Sequence, residues 1–238
     1  QAIAWKPIDS LHLSFASDFF INKLYANLGD FATPTRYSFL NVFATQYSHN
    51  RIECNSSLLA TLVYDKTQKG QSAPLRNILS PSFSAGYKLM DNPSLRIRFL
   101  YKDIFRMPTF NDLYYTLVGN NKLKPEYVEE YNLGLTAYGD WNFIRFVSLK
   151  ADVFYNYIKD KIVAVPTKNL FVWSMRNIGK VDVRGAELQY DIKTRPFGDI
   201  SYSLSCNYTY QEATDVTDKN SSTYDQQIPY IPYETFSA

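Results

Sequence analysis

Apolar and polar residues alternate with a period of two through almost the whole chain, and no other feature limits the fold so tightly. Successive side chains of a strand point to opposite faces, so this pattern describes strands with a different solvent on each side. It is cleanest near the end. Tyr202, Leu204, Cys206, Tyr208 and Tyr210 share one face, while Ser201, Ser203, Ser205, Asn207, Thr209 and Gln211 share the other. Ala186, Leu188, Tyr190 and Ile192 oppose Glu187, Gln189, Asp191 and Lys193 in the same way. Val147, Leu149, Ala151, Val153, Tyr155 and Tyr157 oppose Ser148, Lys150, Asp152 and Asn156, with Phe154 interrupting the polar side. Leu95, Ile97, Phe99 and Tyr101 oppose Arg96, Arg98 and Lys102; Leu58, Ala60, Leu62 and Tyr64 oppose Ser57, Thr61 and Asp65; Leu11, Leu13 and Phe15 oppose Ser10, His12 and Ser14. Residues 36–49 have mixed faces, so periodicity does not orient them. The pattern predicts about ten strands, each long enough for the roughly 9–11 residues of a tilted bilayer crossing.

Connections come in two sizes. Short ones are predicted at 90–93, 139–142 and 195–199, where Pro, Gly, Asn and Asp supply the chemistry of tight turns. Long ones are predicted at about 66–78, 106–125 and 212–227. No helix of useful length and no domain boundary is expected. Two-faced strands suit either a soluble sandwich, whose apolar faces meet each other, or a transmembrane barrel, whose apolar faces meet lipid. Strand length and the alternation of short turns with long loops favour the barrel, which must close to satisfy its backbone.

Composition agrees. Aromatic residues make up 16%, with 20 Tyr and 16 Phe. Tyrosine, an apolar ring with a polar tip, suits the girdles at both membrane interfaces. The net charge of +2 gives no broad electrostatic case for nucleic acid. Cys54 and Cys206 match no metal or redox spacing, and His12 and His49 form no ligand pair. No apolar run is long enough for a transmembrane helix. The start, QAIAWKPIDS, lacks the charged head and apolar core of a signal peptide. The segment 228–238, IPYIPYETFSA, reads as the opening of a further strand, so the chain is expected to be a piece of something longer.

The organising stretch is Tyr101–Leu135: a strand, a loop dense in Pro, Asn, Asp and aromatics, and a strand. Pro108 and Pro125 lack a donor N–H and end ladder pairing, while Asn111, Asp112, Asn120 and Asn121 can bond their own backbone and hold turns. Here the chain resembles the β-barrel of TonB-dependent outer-membrane receptors of the siderophore, haem and cobalamin type. Residues 105–114, FRMPTFNDLY, look like the family's FRAP-type box, and Leu123-Lys124-Pro125-Glu126 followed by Tyr131-Asn132-Leu133-Gly134-Leu135 looks like its LKPE box. Asn177-Ile178-Gly179-Lys180 with Arg184-Gly185-Ala186-Glu187-Leu188 resembles a further signature, and Asn207-Tyr208-Thr209-Tyr210 and residues 228–232 occupy the following positions. The likeness covers 80–238 well and 1–79 in general character.

The resemblance implies uptake of a scarce nutrient, such as an iron–siderophore or corrinoid, rather than enzymatic chemistry. It implies a 1–238 portion of an antiparallel, all-β transmembrane barrel of about 22 strands. A plug domain and the final strands are expected to lie outside this portion. Outer-membrane lipid, that plug, a periplasm-spanning TonB-type energy transducer and a small nutrient ligand are the implied partners. A passive porin or structural barrel is the alternative, and a ligand-binding β-sandwich a more distant one.

Candidate residues follow. Arg106, Asn111, Asp112, Tyr114, Tyr115, Asn120 and Asn121 form the substrate-facing loop set, and Arg96, Arg98 and Lys102 the lumen-facing set, where cations attract anionic ligands or pair with acidic neighbours. Haem-type relatives carry a histidine between the two boxes; none lies between Pro108 and Leu123, which argues against that mode. Tyr114 and Tyr115 stand there instead; tyrosine can ligate haem iron, but loop packing is the simpler role. Glu129 and Glu130 point to opposite faces and make a poor acid–base pair. No Ser/His/Asp constellation, HExxH or glycine-rich phosphate loop is present, so no catalytic residue, cofactor or metal site is expected.

Overall fold

In the computed structural model, eleven strands pair in sequence order into one antiparallel sheet. The structure describes residues 1–116, 118–166, 173–196, 198–228 and 231–238. The sequence expectations that rest on Phe197, Pro229 and Tyr230 therefore lie outside the described residues. The strands are β1 (Ala2–Ile8), β2 (Leu11–Lys23), β3 (Thr35–His49), β4 (Ile52–Lys66), β5 (Arg76–Met90), β6 (Ser94–Arg106), β7 (Glu126–Trp141), β8 (Ile144–Pro166), β9 (Trp173–Thr194), β10 (Ser203–Asp215) and β11 (Glu234–Ser237). With all eleven in one sheet, the described residues form no second layer to make a sandwich. Among the described residues no pairing joins β1 to β11, so the sheet is open.

Register carries the alternation across the sheet. Leu135 pairs with Ile97 and Ala151, Ala151 with Leu188, and Leu188 with Tyr208. Their apolar faces form one continuous outer surface that no described residue covers: Phe15, Leu58, Phe83, Leu133, Val153 and Leu188 are all exposed. Water would make such a surface costly, whereas lipid does not. Tyr101, Tyr131 and Tyr155 lie side by side on β6–β8, with ring centroids 5.1 and 6.3 Å apart. Beyond them the register brings in charge, pairing Asp103 with Glu129 and Tyr157 with Asp182. At the opposite ends of the strands stand Trp5, Tyr87, Trp141, Phe143 and Tyr202. A rise of about 3.3 Å per residue and a tilt of about 40° turn the interval Tyr131–Trp141 into a band roughly 25 Å tall, the height of a lipid-facing barrel belt.

Among the described residues, the connections alternate in length along the meander. Those after β1, β3, β5, β7 and β9 are short, while those after β2, β4, β6 and β10 run from 24–34, 67–75, 107–125 and 216–233. The β2–β3 connection is a long one that turn chemistry alone did not predict.

Three further differences from the sequence reading have physical causes. Residues 36–49 are β3, with Tyr37, Phe39 and Phe43 outward; the faces look mixed because Leu40 and Val42 point inward, paired with Thr61 and Leu59. The interruption at Phe154 is local: it pairs with Gly185, and its ring lies where a Cβ on that glycine would stand, so an aromatic fills the missing side chain's space. A one-turn helix, α1 (Phe110–Tyr114), forms inside the long β6–β7 connection. Thr109 caps it, its hydroxyl accepting from Asp112 N–H while the Asp112 carboxylate accepts from Thr109 N–H.

Candidate functional site: the loop-side cap and the inner wall

Four chain segments that could have moved independently are joined into one cap at the long-loop end. Its small core is Leu113, Tyr114, Leu123 and Ile162, with Ala32, Ala73, Phe110 and Met175 packed against it. These come from the β2–β3, β4–β5 and β6–β7 connections and from the outer ends of β8 and β9. The cap sits on the inner sheet face: Val63 and Asp65 meet Pro108, Leu113 and Leu123 around a void of only about 10 Å³.

Polar anchors hold it down. Arg36 on β3 binds the Asp65 carboxylate through two nitrogens, at 2.7 and 2.9 Å, and donates a third bond to Pro108 C=O at 2.9 Å. Its guanidinium also lies 4.9 Å from the Phe110 ring centre. Tyr114 donates its hydroxyl to Asp65 at 2.9 Å and accepts from Ala73 N–H at 2.9 Å. Burial is the main reason its phenol is held well above the usual tyrosine range, and the Asp65 carboxylate beside it adds to the shift. Arg76 donates to Leu123 C=O at 2.7 Å.

The β8–β9 ribbon reaches the cap because it is kinked. Pairing skips Asp160 and Gly179, both with positive φ (54° and 74°), and beyond them Ile162 and Met175 pack onto α1. Gly179 is required there, since a Cβ would also strike the Thr217 hydroxyl. Asn177 closes the join. Its side-chain oxygen accepts from Lys124 N–H at 2.8 Å, and its side-chain nitrogen donates to Lys124 C=O at 2.9 Å and Asp160 C=O at 2.7 Å. One carboxamide thus pairs with a backbone as a strand would, and it links the LKPE-like box to the later signature. Sequence reasoning picked out both boxes but not this contact, because residues 53 positions apart carry no local mark of meeting.

The loop candidates divide by what they touch. Arg106 ends β6 and grips Glu126, the first residue of β7, through two bonds of 2.6 and 2.9 Å. Asp112 caps α1, and Tyr114 is buried beneath the cap. Asn120 donates to Met175 C=O at 3.0 Å and Asn121 to Gln71 C=O at 2.9 Å. Asn111 and Tyr115 are exposed on α1 and just after it. The set therefore contains five residues engaged in holding the cap together and two that face away from it.

The inner wall carries the other set. Arg98 and Arg96, on one strand, reach in opposite directions. Arg98 crosses β7 to bind Asp152 on β8 at 2.9 Å, and Arg96 crosses β5 to bind Glu53 on β4 at 2.9 Å. Each passes over a glycine. A Cβ at Gly134 would occupy the space of the Arg98–Asp152 pair, and Gly86 lies beneath the Arg96 side chain. Lys102 is exposed and, among the described residues, forms no ion pair. Among the described residues no cluster of His, Cys, Asp and Glu is suited to a metal. Cys54 and Cys206 are free thiols, held on the outer face by register with Tyr47 and Tyr190.

Comparisons with known proteins agree with this geometry. Residues 9–238 match the family described as TonB dependent receptor-like, beta-barrel. A vitamin B12 transporter, BtuB of Vibrio vulnificus (strain YJ016), is 32% identical over 104 residues, which is 44% of this chain and 16% of the relative. The FrpB iron transporter of Neisseria meningitidis superposes with a TM-score of 0.69 at 13% identity, covering 95% of this chain and 36% of that one. The alcaligin outer-membrane receptor FauA of Bordetella pertussis does so with a TM-score of 0.59 at 12% identity, covering 99% and 40%. At such identities these structures speak for the fold, and the chain spans well under half the length of each relative. Its strands are outer-membrane barrel wall, and the chain belongs to the TonB-dependent receptor β-barrel family.

Proposed function

We propose that this chain is part of the wall and loop cap of a receptor for energy-coupled uptake of a scarce nutrient across the outer membrane. The observation that carries the reading is the family match over 9–238, which falls on a wall with sided connections and a built cap at one end. In the complete protein the open sheet continues into a larger barrel of about 22 strands, because unpaired edges are not tolerated in lipid. The partners are a plug domain of the same polypeptide in the lumen, a TonB-type transducer on the short-turn side and a small nutrient ligand on the cap side. The sequence likeness to a vitamin B12 transporter makes corrinoids the first substrate class to test, followed by iron–siderophores. Within the cap, Asn111 and Tyr115 are the candidates for ligand contact. Arg106, Asp112, Tyr114, Asn120 and Asn121 act on ligand through loop shape, and Arg96, Arg98 and Lys102 set the charge of the inner wall.

Deletion of the whole gene tests this. The expected result is failure to grow on one limiting corrinoid or iron source, relieved by high external supply. Normal growth on every corrinoid, iron and haem source at limiting concentration overturns the reading.

A further inference from the structure

A recess of about 500 Å³ separates the kinked β8–β9 ribbon from the β10–β11 connection, on the face that carries Val181 and Asp215. That size and a mixed apolar and polar lining are what small-molecule sites present. The connection's wall is a built surface. The Asp215 carboxylate accepts from Thr217 N–H at 2.9 Å and from the Thr223 hydroxyl at 3.1 Å. Val216 N–H donates to Lys180 C=O at 2.9 Å, and Ile228 N–H to Ala213 C=O at 2.8 Å. These bonds occupy most of the polar groups around the recess, and Asn220 N–H donates to the Asp218 carboxylate at 2.9 Å. Lys161 on the ribbon and Asp218 on the connection both line it, and among the described residues neither forms an ion pair. Val163, Val181 and Ile228 supply an apolar floor between these walls.

Resting on the uptake reading above, we propose that this recess binds a small zwitterion of the amino-acid type with an apolar side chain. The ligand's carboxylate meets Lys161, its ammonium group meets Asp218, and its apolar body lies on Val163, Val181 and Ile228. Charge-assisted hydrogen bonds to two fixed, opposite charges over an apolar floor discriminate against any ligand lacking either charge. With no ion pair at either Lys161 or Asp218 among the described residues, the zwitterion matches both charges at once.

The test uses the receptor purified whole in detergent, titrated with L-leucine, leucinamide and N-acetyl-L-leucine by calorimetry. L-leucine is expected to bind at least tenfold more tightly than either analogue. Lys161→Met should abolish discrimination between L-leucine and leucinamide alone, and Asp218→Asn discrimination between L-leucine and N-acetyl-L-leucine alone. Heat-modifiable gel mobility establishes that each variant is folded, and the three wild-type titrations decide the matter without the variants. No binding of L-leucine, equal binding of all three compounds, or discrimination that survives both substitutions overturns the proposal. Those outcomes leave the uptake reading standing, since it is judged by the deletion strain's growth.

Discussion

Arg36 is the residue whose loss the cap can least accommodate. Its side chain is 12% exposed and that of Asp65 only 3%, so the pair is out of water. Removing one member of a buried pair leaves the other charge uncompensated, at a cost of about 3–5 kcal/mol. Arg36→Met should therefore loosen the 107–125 connection, measured as faster protease cleavage there while the barrel stays resistant. Tyr114 gives the same anchor a pH dependence. A group whose pKa is raised on folding contributes stability in full below its unfolded pKa and loses it as pH rises through the folded value. The phenol's contribution is thus intact at neutral pH and fades as pH rises above about 10, where the phenol ionises in the unfolded chain while burial and the Asp65 carboxylate still keep it protonated in the folded one. Cap protection against protease should fall as pH rises past that point, and in Tyr114→Phe the alkaline loss should disappear. Glycines can be ranked in the same way. At Gly185 an added Cβ meets the Tyr210 carbonyl and the Phe154 ring, so Gly185→Ala should cost about 1–3 kcal/mol as overpacking. At Gly134 it meets only the tips of Arg98 and Asp152, which can swing away, so Gly134→Ala should cost about 1 kcal/mol or less. Urea titration of the refolded barrel in detergent distinguishes them.

The kinked β8–β9 ribbon is the element that turns separate loops into a cap, and Asn177 is its fastening. Three hydrogen bonds worth about 1 kcal/mol each disappear in Asn177→Ala, so a loss of about 2–3 kcal/mol is expected, read as faster amide hydrogen exchange at Lys124. Elements of this kind mark where the sequence was readable. Period two identified the faces of β4, β6, β8, β9 and β10, because lipid on one side and a polar lumen on the other act on every residue of a strand. It did not give the length of β8 and β9, at 23 and 22 residues, since beyond the bilayer both faces meet protein or water and the alternation no longer reports a solvent. It left β3 unoriented because Leu40 and Val42 sit on the inner face beside Leu59 and Thr61. The one-turn α1 was hidden because a single turn has no period to detect, although Thr109 and Asp112 at capping distance mark its start. Of the loop candidates, residue type identified turn-formers correctly in Asp112 and Asn120, whose side chains bond nearby backbone. It did not foresee that Tyr114 and Asn121 reach other loops, since those contacts exist only after the sheet has brought the loops together.

At the scale of the whole wall, sidedness is the property most open to measurement. Barrels in the outer membrane keep their short turns on the periplasmic side and their long loops outside. In a background where Cys54 and Cys206 are replaced by Ser, a cysteine substituted for Asn111 should be labelled by an impermeant maleimide on intact cells. A cysteine substituted for Asp91, in the turn after β5, should be labelled only after the outer membrane is opened. The reverse pattern contradicts the assigned orientation. The same wall must also resist being pulled apart at its seams. Every ladder bond joins immediate neighbours, so a force that separates two strands is met by one seam alone. Arg96 and Arg98 depart from that rule, because each is rooted in β6 but gripped two strands away, on β4 and β8. Opening any seam from β4 to β8 therefore strains a bond that also crosses the next one, as cross-grain in plywood stops a split from running. The glycines beneath them let this bracing lie flat, so the wall is reinforced laterally without thickening its inner face.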